Sequence, residues 1–115
     1  MKDLKDISVA VARFAAERHW DKFHSPKNLA MALSVEVAEV MEIFQWLTED
    51  ESTNLTEDQL KAVSHEIADV QVYLVRLADM LGVDILRMVE EKMALNALKY
   101  PAEKVRGSAK KYTDY

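Results

Sequence analysis

A chain of 115 residues, half of them hydrophobic, is long enough to bury one core and too apolar to stay disordered. Its 2 Gly and 2 Pro are too few for the tight turns of an all-β fold, and the absence of Cys excludes disulfides, thiolate metal sites and thiol chemistry. A formal net charge of −5 argues against polymeric nucleic acid as a partner, because that needs a broad basic face.

The predicted elements are helices. Residues 3 to about 22 read as a first helix, with Leu4, Ile7, Val11, Phe14 and Ala15 at helical spacing. HSPKN follows; Pro26 disfavours helix just before it, and Asn28 can cap the next helix, which is expected from about 28 to 48. That second helix is apolar nearly all round, so it needs burial on most sides. A chain this short cannot cover it alone, and oligomerisation is expected. Residues 49–56, EDESTNLT, read as an acidic loop. Thr56 and Gln59 form a capping-box pattern opening a third helix, which runs to about Leu81 and stops at Gly82. Asp84 caps a fourth helix, extending to about Tyr100 before Pro101. A basic tail spans 101–115. The expectation is a single domain over 1–115, an all-α four-helix bundle with its helical core at about 3–100.

Two glutamates occupy positions where a helix should carry leucine. At about 100° per residue, Leu29, Leu33, Val40, Ile43 and Leu47 all fall within about 60° of Glu36. Val63, Val70, Tyr73, Leu77 and Leu81 surround Glu66 in the same way. Each has a second acid three residues on, Glu39 and Asp69, on the same helix side. Buried carboxylates are costly without a partner, and no cationic residue is set among them. Spacing alone is weak, since Glu-rich helices make ExxE common. The apolar position is the stronger sign: four converging carboxylates suit a hard divalent ion, Mg2+ or Mn2+, that engages substrate phosphates.

Other residues extend this reading. Trp20, Trp46 and Tyr73 can stack on a flat base, although core packing is the ordinary role of any one aromatic. Lys92, Asn96 and Lys99 follow one another along the fourth helix, and Lys110 and Lys111 stand in the tail. They can hold a triphosphate, or form a solvated face that offsets the helix dipole. His19, His24 and His65 form no ligand set, and the Glu-x-x-His motifs of a di-iron bundle are absent. No P-loop and no GxGxxG occurs. The opening MKDLKDISVA lacks the apolar core of a signal peptide, and no stretch approaches the roughly 18 apolar residues of a membrane span. A soluble, cytoplasmic chain is expected.

EVAEVMEIFQW, followed after a loop by HEIADVQVYLV, resembles the MazG-like all-α nucleotide pyrophosphohydrolases, and among them the dCTP pyrophosphatase branch. The likeness continues through FAAERHWDKFHSPKNL, EKMALNALKYP and SAKKYTDY. It departs at Val35, where the broader family often has a second glutamate, and at Ala38, where Gly is frequent. The resemblance implies Mg2+-dependent hydrolysis of a nucleoside triphosphate, dCTP or a modified dCTP, to the monophosphate and pyrophosphate. It implies metal ligands Glu36, Glu39, Glu66 and Asp69, base contacts from Trp20 and Trp46, further nucleotide contacts from Tyr73 and Asn96, and phosphate partners Lys92, Lys99, Lys110 and Lys111. It also implies a homotetramer built as a pair of dimers. The competing reading is a helical oligomer that binds nucleotides as a sensor or interaction module without hydrolysing them.

Overall fold

Local capping chemistry sets where each helix begins. In the computed structural model, which describes residues 1–109 and Thr113, the Asp3 carboxylate accepts from the Asp6 amide at 2.9 Å and starts α1, Leu4–Glu17. Ser25 caps α2, Pro26–Phe44, through a 3.2 Å bond from the Asn28 amide. Thr48 opens the short α3, Glu49–Ser52, and Thr56 opens α4, Glu57–Leu81. Each threonine exchanges bonds with the residue three places on, Glu51 and Gln59, in a full capping box. Gly82, at φ +68°, ends α4 in the left-handed conformation that glycine adopts without steric cost. Asp84 caps α5, Ile85–Lys99, and α6 is a single turn at Ala102–Val105. No strand occurs among the described residues, so the fold is all-α, as composition predicts.

Three boundaries differ from the sequence expectation. The first helix stops at Glu17 rather than near residue 22. His19 takes φ +54°, its amide bonds to Ala16 O, and the Trp20 amide bonds back to Ala15 O at 2.9 Å. That pair of bonds is a Schellman stop with His in the place glycine usually takes. A 3-10 turn, Asp21–Phe23, follows. The second helix starts at Pro26, not Asn28: proline at the first helical position costs no bond there, and Ser25 is the cap. It ends at Phe44 because Leu47 N tightens onto Phe44 O and Thr48 then starts α3 inside the expected loop.

Two compact units result, Met1–Gly82 and the residues from Val83 on. In the first, α4 packs against α2 and against α1. Its core is Ala15 from α1, Leu29 from α2, and Val63, Val75 and Ala78 from α4. A Ser8–Asp79 hydrogen bond adds a polar tie between α1 and α4. In the second unit α5 buries no residue, and Leu86, Val89, Met93 and Leu98 are exposed.

The predicted inward face of α2 is real. Leu33, Glu36, Val40 and Ile43 are all partly buried, and Ser34 and Glu42 are exposed. On α4, Val63 is buried and Glu66, Val70, Tyr73 and Leu77 are partly buried, whereas Leu81 at the helix end is exposed. The rest of α2 stays uncovered within one chain: Met31, Val35, Val37 and Met41 are 50–61% exposed. Among the described residues, no helix is long and apolar enough to cross a membrane.

Candidate functional site

The packing of α2 on α4 brings the two acid pairs together. Glu36 and Glu39 lie one turn apart on α2, Glu66 and Asp69 one turn apart on α4, and one carboxylate oxygen from each lies within 4.8 Å of the others. Three of the four are partly buried and Asp69 is exposed. One oxygen of Glu36 and one of Glu66, Oε2 in each case, are buried with no hydrogen-bond partner. Such atoms are rare in folded proteins, because each forfeits its hydration without replacement.

Electrostatics points the same way. The Glu66 carboxyl is pushed up to about 7, first by its hydrogen bond with Glu39, then by burial and the negative charges of Glu39, Asp69 and Glu36. Burial, followed by the charges of Glu39 and Asp69, raises Glu36 as well. The ion pairs among the described residues, Arg18–Glu17 and Arg76–Asp21, leave the cluster without a cationic side chain. Four crowded carboxylates, two with orphaned buried oxygens, fit a divalent cation bound through oxygen.

Beside the cluster lies a cavity of about 410 Å³, shared by α1, the Trp20–His24 segment and α4. Asp69 lines both, so cluster and cavity are continuous. Trp20 and Tyr73, two of the residues the sequence reading names as nucleotide contacts, form part of the cavity wall. The Schellman stop places Trp20, whose ring meets Phe14 edge-on at 5.7 Å. That contact between the residue after the stop and one in the last helical turn typically accompanies this motif. The Arg18 guanidinium covers the Phe14 ring at 3.5 Å.

Trp46 sits beyond the end of α2, 85% exposed, and is not among the residues lining the cavity. Lys92, Asn96 and Lys99 lie on α5, in the second unit. Lys110 and Lys111 fall outside the described residues. His19 serves as the helix stop and His65 is exposed; neither belongs to the carboxylate cluster.

Sequence reasoning missed a group of three. Arg76 on α4 is buried, donates from Nη2 to Asp21 Oδ1 at 2.7 Å, and donates from Nε to His24 Nδ1 at 3.1 Å. Arg76 and His24 both line the cavity. The available signal was an arginine set among Val75, Leu77 and Ala78 on an otherwise apolar stretch.

Fold and site together define an all-helical protein built around a carboxylate cluster able to hold a metal ion, next to an aromatic cavity. The chain belongs to the MazG-like family, whose sequence profile matches residues 31–115. It is 43% identical to human dCTP pyrophosphatase 1 and 45% identical to the rat protein, over 113 residues in each case. These alignments cover 96% of this chain and 66% of each relative, so the chain spans just under two thirds of their length. The crystal structure of a pyrophosphatase from Archaeoglobus fulgidus superposes with a TM-score of 0.80 at 41% identity, covering 84% of this chain and 91% of that one.

Proposed function

We propose that this chain is a Mg2+-dependent nucleotide pyrophosphohydrolase that converts a nucleoside triphosphate and water to the monophosphate and pyrophosphate. The observation that carries the reading is the convergence of Glu36, Glu39, Glu66 and Asp69 with two buried, unpartnered oxygens. Relatives named dCTP pyrophosphatase 1 support it. The proposed substrate is dCTP or a 5-modified dCTP, and the proposed role is cytoplasmic nucleotide-pool house-cleaning.

Glu36, Glu39, Glu66 and Asp69 hold Mg2+, with Mn2+ a possible substitute. When bound, the ion neutralises phosphate oxygens and polarises phosphorus. Glu36 or Glu39 orients the attacking water and takes its proton, and burial with the neighbouring negative charges raises the basicity of Glu36. The bond broken joins the α and β phosphoryl groups, and pyrophosphate leaves. Trp20 and Tyr73 pack against the base in the cavity beside Asp69. Asn96, Lys92, Lys99, Lys110 and Lys111 are the proposed sugar and phosphate contacts. Trp46 is also proposed as a base contact, reached when copies of the chain assemble. The uncovered apolar residues of α2 support a homo-oligomer, a tetramer made of two dimers.

The test is product analysis with a panel of (d)NTPs and Mg2+, on wild type and Glu66→Ala. Wild type should release pyrophosphate and monophosphate, and folded Glu66→Ala should release none. Nucleotide binding without any product selects the sensor reading instead.

A further inference from the structure

The chain buries an arginine where a leucine would cost less. Arg76 is 8% exposed on α4, in the same turn as the buried Val75 and Ala78. Removing a guanidinium from water is expensive unless its donors are used. Its two hydrogen-bond partners come from one short segment: Asp21 Oδ1 at 2.7 Å from Nη2, and His24 Nδ1 at 3.1 Å from Nε. Asp21 remains largely exposed, at 59% for its side chain, so the carboxylate is the solvated end of the group and His24 the inner end.

The bond to His24 has a chemical consequence. Arginine keeps its proton at any ordinary pH and can only donate. His24 Nδ1 must therefore accept, and carries no proton. The ring is then neutral with its proton on Nε2. His24 lines the same cavity as Trp20, Tyr73 and Asp69, and a ring in this state has a single N–H with which to meet a ligand there. Burial and the Arg76 charge, against the opposing pull of Asp21, also hold His24 below the ordinary histidine range.

We propose that Arg76 is a positioning residue for ligand recognition: it fixes His24 as a neutral Nε2–H donor and anchors the Trp20–His24 segment to α4 through Asp21. The cavity thereby selects a flat ring that presents a hydrogen-bond acceptor, a carbonyl oxygen or an unprotonated ring nitrogen, to His24 while it packs on Trp20 and Tyr73. This assignment rests on the cavity being the base pocket of the proposed enzyme. A role for Arg76 confined to stability would leave the ring state of His24 and the split between KM and kcat unchanged.

Two measurements test it. The first needs no substrate: long-range 1H–15N correlation on the 15N-labelled wild type at pH 7, with His24 identified by its loss in His24→Gln. The expected result is a pyrrole-type Nε2 and a pyridine-type Nδ1. An Nδ1–H tautomer or an imidazolium overturns the proposal. The second is steady-state kinetics on the preferred triphosphate for Arg76→Met, His24→Ala and the double variant, each checked for folding by thermal melting. Each single change should raise KM about tenfold, the size of one lost hydrogen bond, with kcat within about threefold. The double variant should match His24→Ala within about twofold, because both act through one contact. Effects that multiply, or a KM that does not move, overturn it. If Arg76→Met does not fold, the ring state of the wild type decides. If the wild type hydrolyses no triphosphate, the proposed function fails, and the ring state still decides the role of Arg76.

Discussion

Glu66 on α4 stands against Glu39 on α2 in a cluster whose carboxylate oxygens lie within 4.8 Å of one another, and this crowding holds the Glu66 carboxyl at about 7. The folded protein thus retains a proton that the unfolded chain releases. For an acid raised in this way, the sign is unfavourable to folding as pH rises. The penalty is absent below the ordinary value of 4.5, grows across the interval above it, and is complete once pH passes about 7. Thermal melts of the metal-free protein between pH 5 and 8 should show Glu66→Gln gaining on wild type as pH increases. A gap between the two that stays constant over that interval would show that the carboxylates are not crowded in the folded state.

A cation should reverse that penalty. Divalent ion bound only by the folded form at about a hundred times its dissociation constant stabilises by about 2.7 kcal/mol. Differential scanning fluorimetry with Mg2+ or Mn2+ should raise the wild-type melting temperature and leave Glu66→Gln and Glu36→Gln nearly unmoved. Equal shifts in all three proteins would place the ion elsewhere.

Trp46 makes oligomerisation readable. Trp20→Phe leaves Trp46 as the single tryptophan of the chain. Within one chain that indole is 85% exposed. If copies associate over the open face of α2 and its C-terminal end, emission should shift to the blue at high protein concentration and to the red on dilution, in step with the mass measured by light scattering. Emission that ignores a change of mass would put Trp46 outside the interface.

Two left-handed residues give a matched pair. Gly82, at φ +68°, has no atom within 4 Å of where a Cβ would stand, so Gly82→Ala carries only the backbone cost, about 1–2 kcal/mol. His19 already pays a cost of this kind at φ +54°. His19→Gly should therefore raise stability by up to about 1 kcal/mol in urea melts while leaving the slope unchanged. Destabilisation by His19→Gly would mean that the imidazole makes a contact worth more than the strain.

The contrast between α1 and α4 explains how far the sequence could be read. Both ends of α4 are marked by local chemistry, Thr56 with Gln59 at one end and Gly82 at the other, so its limits were legible. The stop of α1 is not marked by glycine; it depends on His19 turning left-handed and on Trp20 reaching back to Phe14. Pro26 reads as a breaker, and only the Ser25 bond reveals it as the first residue of α2. The same division runs through the site. Glu36 and Glu66 announce themselves by violating helical periodicity. Arg76 at the edge of an apolar face looks like any solvated cation, and its partners Asp21 and His24 lie 55 and 52 residues away. Pairing at that range is set by how α4 docks on the first segment, which no local pattern encodes.

The central claim is that the four carboxylates form the metal centre of a nucleotide pyrophosphohydrolase. The most direct measurement is 31P NMR of a dCTP hydrolysis mixture with Mg2+, run with wild type, with wild type plus chelator, and with folded Glu66→Ala. The account predicts pyrophosphate and dCMP in the first sample only, with the other two slower by at least about a thousandfold, the scale expected when the charge-stabilising centre is lost. Turnover by Glu66→Ala at the wild-type rate, or a diphosphate and inorganic phosphate as products, would contradict it.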